Sequence, residues 1–327
     1  MRSLQVVDTF PAFEDFWERA RGLPVDRQVA LWERDYMAPW PELLAKQKED
    51  YAVQGFDWHK VARTRIFPHM EERLERMRRL HGGLVRALPT SWSLARAKLG
   101  LRVPVQFVIH VGIGCGMGWG TRLGGRPTIL FGLENAADRQ GRRGDLWSGV
   151  IVHEVAHVAH DEWRRERGLD GEEDGRGRPH PLWQLYVEGF ATQVEREVVG
   201  RRAFRWRTGD LRWLPWCEGH RRWLARKFLE DAKARRSVRP FFGSWYRIQG
   251  QVQTGYWLGA EVVREWRRVM TFQDCAVVPE VVARRMARRT LREMAAARAS
   301  PEGGWTRRGS AVGRSHRPRR ASDLPPT

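Results

Sequence analysis

The sequence predicts a mainly helical α+β chain in which a small sheet interrupts a long run of helices. Three observations carry this. Aromatic and apolar residues recur at helical spacing from about residue 8 to residue 100. From Val103 the period changes: Val105, Phe107, Ile109 and Val111 alternate with Gln106, Val108 and His110, which is the pattern of a strand. From Asp145 the helical period returns and continues to about residue 297.

The elements follow in order. Phe10, Phe13 and Phe16 predict a first helix, and Trp32, Tyr36 and Trp40 continue the pattern until Pro39 and Pro41 break it. Met70, Leu74, Met77 and Leu80 form the apolar stripe of another helix, with Glu-to-Arg pairs on its outer face. The alternating stretch is then followed by a glycine-rich run, Gly112–Gly125. A phosphate-binding loop requires a strand, the loop and then a helix. Here no Gly-Lys-Ser/Thr ending is present and the run leads to a second strand, Pro127–Gly132, so a hairpin-like connection is expected.

A helix is expected from Asp145 to about Gly168, with the acid at its positive end. The polar segment Asp170–Pro181 reads as a loop, and a helix begins near Pro181. Residues 200–235 interleave arginine with aromatics, as in Arg205-Trp206-Arg207 and Arg221-Arg222-Trp223. That pattern suits an amphipathic helix with inward tryptophans, and it also occurs in single-strand nucleic-acid grooves. A glycine-marked helix start at Gly255 and an arginine-rich helix over 278–297 complete the ordered chain. Residues 299–327 read as a disordered basic tail.

Composition narrows the function classes. Three scattered cysteines, Cys115, Cys217 and Cys275, without C-x-x-C spacing, argue against a disulfide framework and against a cysteine zinc site. There is no apolar leader near Met1 and no run of about 18 apolar residues, so a cytoplasmic protein without a membrane partner is expected. The formal net charge of +19 attracts polyanions non-specifically, through the basic surface and the tail.

The chemistry concentrates in His153-Glu154-Val-Ala-His157, an H-E-x-x-H run inside an apolar helix. Residues i and i+4 share a helix face, so both imidazoles can address one metal ion, with Glu154 beside it as a base. A catalytic zinc takes a third protein ligand and keeps a position for water. His160 is excluded, because it lies about 10 Å along the axis from His153. Glu188 stands inside a largely apolar helix, where an ionised carboxylate requires a cation or a proton. It is the best third ligand, with Gly189 expected to let two helices approach closely; His180 is the runner-up.

His153-Glu154-x-x-His157, Glu188-Gly-Phe-Ala191 and Gly255-Tyr256-Trp-Leu-Gly259, in that order, resemble the gluzincin-type zinc-dependent metalloproteases of bacteria. The resemblance covers roughly residues 100–270. It implies a zincin-like fold, with a small β-sheet packed on the H-E-x-x-H helix and a helical C-terminal half. The chain would then comprise a helical region 1–100, a catalytic domain 101–298 and the tail. One zinc ion would be held by His153, His157 and Glu188, Glu154 would act as general base on a metal-activated water, and a peptide or protein would be the substrate. Tyr256 is the candidate donor to the developing oxyanion. Gly132-Leu133-Glu134-Asn135 resembles the G-x-M-E-N segment of gluzincin aminopeptidases, which makes Glu134 a candidate substrate-binding residue for a free amino terminus. Alternatively, the strand preceding the motif helix could bind an extended peptide by β-addition. The competing readings are a basic nucleic-acid-binding protein with a structural or vestigial metal site, and a metal-binding regulatory domain without turnover.

Overall fold

The structure is a computed structural model; it describes residues 4–138, 146–169, 179–200, 204, 210–243 and 246–297. Met1–Ala296 form one unit and Ala297–Thr327 a second. Asp145, the Arg205-Trp206-Arg207 segment and the expected tail lie outside the described residues.

The first unit is mainly helical, with one four-stranded mixed sheet. The chain opens with strand β1 (Gln5–Asp8), then α1 (Phe10–Ala20) and α2 (Val25–Leu31). A π-helical turn over Trp32–Tyr36 leads to α3 (Pro41–Gln54), α4 (Trp58–Val61) and the long α5 (Met70–Leu99). Pro41 starts α3, where a missing N–H costs nothing. The predicted stripe of Met70, Leu74 and Met77 is buried, and the helix runs on through Pro89 for a further ten residues.

Strands β2 (Gln106–His110), β3 (Trp119–Leu123) and β4 (Arg126–Gly132) complete the sheet in the order β1-β2-β4-β3. β1 pairs with β2 and β2 with β4 in parallel; β3 is antiparallel to β4. This differs from the sequence expectation. The hairpin joins β3 to β4, and β3 arises inside the glycine-rich run, where its residues are only half-buried or exposed. β1 was also not legible: four residues with mostly exposed side chains carry no apolar alternation.

Helices follow: α6 (Leu133–Asp138), α7 (Leu146–Glu166), α8 (Pro181–Val199), α9 (Trp213–Gly219), α10 (Arg221–Lys233), α11 (Arg239–Phe242), α12 (Thr254–Trp266), α13 (Phe272–Ala276) and α14 (Glu280–Ala296). α5 and α7 cover one face of the sheet: Trp92 packs on Phe107, and Trp147 on Phe131. The N-terminal helices cover the other. Trp32 donates its indole N–H to Val111 O at 3.1 Å, and the Tyr36 hydroxyl bonds Thr9 Oγ1 at 2.6 Å. The sheet is therefore a middle layer, and the N-terminal helices share its core. Among the described residues, no helix is long and apolar enough to cross a membrane.

Candidate metal centre

α7 carries the H-E-x-x-H run and is buried on almost every side from Val150 to Ala156. The sheet lies on one side, α5 on another and α8 on a third. This is why its apolar positions read as a continuous run rather than a stripe. α8 crosses α7 so that Glu188 meets the two histidines.

The geometry of that meeting is specific. His153 Nε2 and His157 Nε2 are 3.1 Å apart. Glu188 Oε2 lies 3.3 Å from His153 Nε2 and 3.6 Å from His157 Nε2. Ligands at about 2.0–2.1 Å in tetrahedral arrangement stand about 3.3 Å from one another. The three atoms therefore outline one face of such a tetrahedron. Glu188 Oε2 is buried and makes no hydrogen bond. An orphaned carboxylate oxygen facing two imidazole nitrogens is chemically matched by a divalent cation of borderline softness. His153, His157 and Glu188 are a group able to hold a metal, and the only such group of three among the described residues. His157 and Glu188 keep part of their surface in solvent, whereas His153 is buried.

Electrostatics follow from this packing. Burial pushes the Glu188 carboxyl upward, but the facing rings of His153 and His157 hold it below the usual carboxylate range. For His157, burial works against the charged ring, and the carboxylates of Glu188, Glu154 and Asp161 reverse that and raise it to about 9.

Glu154, the neighbour of His153, is buried and faces the glycine-rich loop. A Cβ on Gly118 would stand 3.1 Å from Glu154 Cγ and Oε1. Gly118 thus gives the carboxylate its room. Tyr256, in the first turn of α12, is half-buried with its ring 5.9 Å from that of His153. The structure brings together His153, Glu154, His157, Glu188 and Tyr256.

The other candidates have partners of their own. Glu134 is buried at the start of α6, where Oε2 accepts from Gly112 N at 2.8 Å and Oε1 from Gly114 N at 3.1 Å. Burial pushes its carboxyl up to about 7 against those two hydrogen bonds. Glu134 anchors the glycine-rich loop. His180 caps α8, with Nδ1 accepting from Leu182 N at 3.1 Å. His160 is buried among Trp183, Tyr186 and Phe190, its Nε2 3.2 Å from the Tyr186 hydroxyl. Gly189 permits a close approach, but between α8 and α12 rather than α8 and α7. A Cβ there would lie 2.2 Å from the backbone carbon of Gly259.

One residue of the site escaped the sequence reading. Glu195 is fully buried and its Oε2 lies 3.6 Å from His153 Nδ1. Its signal was present: it stands two turns after Glu188 on the same helix, so both carboxylates project to one side. No protein-family model, no curated protein and no solved structure matches this chain.

Proposed function

We propose that the chain is a zinc-dependent metallopeptidase of gluzincin type, with a zincin-like arrangement of sheet and helices. The observation that carries this reading is the His153–His157–Glu188 triangle, with Glu154 beside His153 and with His157 and Glu188 partly exposed. A structural zinc site is closed and usually built from cysteines, and the three cysteines of this chain are elsewhere.

Zinc bound there would polarise the scissile carbonyl and lower the pKa of the attacking water. Glu154 takes the proton from that water and passes it to the leaving amine. Its low-dielectric surroundings, closed by Gly118, hold the carboxylate in position for both transfers. Tyr256 donates from its hydroxyl to the carbonyl oxygen as charge develops there.

The substrate is an extended peptide. β4 is hydrogen-bonded on both sides and has no edge to offer, whereas β3 is the sheet's edge beside α7. A Cβ on Gly120 would touch Val158, as one on Gly118 would touch Glu154, so β3 runs alongside the motif helix in the same direction. A peptide adding to β3 passes Glu154. A cleft of about 550 Å³ bounded by Gly120, Arg122, Val158, Trp183 and Val187 continues this path. Val158 and Val187 directly follow His157 and precede Glu188. With Glu134 committed to the glycine-rich loop, no free amino terminus is required, and N-acetylated and free peptides are cleaved alike.

The decisive test is Glu154→Gln. Peptide hydrolysis should be lost while one zinc per chain remains bound; full retained activity would remove Glu154 from its role. The nucleic-acid reading receives less support, because Trp213 is buried and Trp216 and Trp223 pack against the core rather than offering stacking faces.

A further inference from the structure

We propose that the outer faces of α10 and α14 form a docking surface for the phosphate backbone of duplex nucleic acid, apart from the metal centre and without sequence preference.

Charge is concentrated there by the sequence. Residues 221–239 hold eight basic side chains against two acidic ones, and α14 holds five against two. Nine of the nineteen net positive charges therefore fall on two short stretches. Helical spacing sorts them. Leu224, Ala225 and Phe228 turn α10 to the core, and Ala283, Ala287 and Leu291 do so for α14. Arg222, Arg226 and Lys233 fall on the opposite side of α10, and Arg285, Arg288 and Arg292 on the opposite side of α14. Each set is one stripe, about 16 Å long on α10 and about 10 Å long on α14 at 1.5 Å per residue. The two helices pack against one another and both pack on α12, so the stripes border one stretch of outer surface.

These six side chains are exposed, and among the described residues none has a carboxylate partner. Their neighbours do. Arg284 pairs with Glu280, Arg289 with Glu293, and Lys227 and Arg236 share Asp231. Most of the nearby acids are thus already neutralised, and Glu230 is the one acid on the stripes. Lines of unpaired like charge attract and concentrate a polyanion.

The side chains themselves select among polyanions. Five of the six cations are guanidinium groups, whose planar fork matches phosphate oxygens. α14 has no aromatic residue, and Trp223 of α10 packs against the core, so neither helix offers a face on which an unpaired base could stack. The backbone of a duplex needs no such face. A membrane surface calls for outward apolar side chains beside the cations, and a protein partner calls for an apolar centre within a polar rim. Both helices turn their apolar side to the core; of their large apolar residues, only Val281 and Val282, at the start of α14, are exposed.

The test is fluorescence anisotropy of a labelled mixed-sequence DNA duplex with the full chain at several salt concentrations. Three variants each lose three charges: Arg285→Gln/Arg288→Gln/Arg292→Gln on α14, Arg222→Gln/Arg226→Gln/Lys233→Gln on α10, and Arg79→Gln/Arg86→Gln/Arg102→Gln as a control. The control arginines, on or just after α5, are also exposed and lack carboxylate partners among the described residues. Residues 297–327, with seven arginines against two acids, stay intact in every variant. Thermal midpoints should match wild type, and either helix variant decides the matter if the other does not fold. Each helix variant should weaken binding more than about tenfold at low salt and flatten the slope of log K against log salt by about 2–3, as three lost phosphate contacts require. The control should change both much less. Equal losses in all three variants would mean attraction by net charge alone and would overturn the surface, as would unchanged binding in both helix variants. Displacement of the duplex by polyglutamate, single-stranded DNA or phosphatidylserine vesicles at equal charge concentration would overturn the choice of partner. None of these residues belongs to the metal centre, so failure here leaves that reading untouched.

Discussion

Removing either His157 or Glu188 tests the ligand set. Glu188→Ala and His157→Ala should both reduce zinc below one ion per chain by metal analysis; undiminished zinc in the Glu188 variant would remove it from the ligand set. Gly118→Ala tests the space beside Glu154. Its methyl would press on that carboxylate, and a misplacement of this order reduces hydrolysis roughly 10- to 100-fold with zinc content unchanged. Glu134 supplies a pH test. Burial disfavours its charged form and pushes the folded carboxyl up from the ordinary 4.5 to about 7. The unfolded chain releases this proton first as pH rises. Between about 4.5 and 7 the folded state holds the extra proton, so this group's contribution to stability falls across that window and is level above it. Glu134→Gln should remove that fall. The stability difference between wild type and variant, followed by urea unfolding from pH 5 to 7.5, should change on the order of 3 kcal/mol in the variant's favour.

Among the elements, the crossing of α8 and α12 matters most. Gly189 and Gly259 bring the two backbones together, and no side chain fits between them. The crossing positions two parts of the site at once: Glu188 precedes Gly189, and Tyr256 lies one turn before Gly259. Gly259→Ala should therefore lower the thermal midpoint and reduce activity together, whereas Tyr256→Phe should reduce activity with the midpoint nearly unchanged. These pairings of effects separate a packing role from a chemical one. The glycines in Gly255-Tyr256-Trp-Leu-Gly259 and Glu188-Gly189 were visible as motif letters. Their contact was not, because it joins residues far apart in the chain and depends on backbone proximity rather than on side-chain pattern. β3 was missed for a related reason: it is a five-residue edge strand with no fully buried side chain, lying inside a glycine-rich run that reads as a turn.

For the whole molecule, two linked equilibria are measurable. If zinc binds the folded chain alone, it stabilises by RT ln(1 + [Zn]/Kd), about 2.7 kcal/mol at a hundredfold excess over Kd. Calorimetry should show a rise in thermal midpoint on adding zinc, its reversal by chelator, and no rise in the Glu188→Ala variant. The net charge of +19 predicts weak binding to mixed-sequence nucleic acid that falls steeply with salt. Tight, saturable binding that persists at high salt would count for the nucleic-acid reading.

Spacing along one helix is a local quantity, and what depended on it was determined by the sequence alone. His153, Glu154 and His157 share a face because four residues make about one turn. A glutamate inside an apolar helix needs a counter-charge wherever that helix lies, which made Glu188 legible as well. The helical regions and the two inner strands β2 and β4 followed from period. Only the tertiary structure decided which groups meet. It set Glu195 behind His153, Gly118 against Glu154 and Tyr256 beside His153, and it turned Glu134 toward the backbone of Gly112 and Gly114. Each of these is a contact between segments whose separation in the chain carries no information about their distance in space, so only the packing of α7 between the sheet and α8 could decide them.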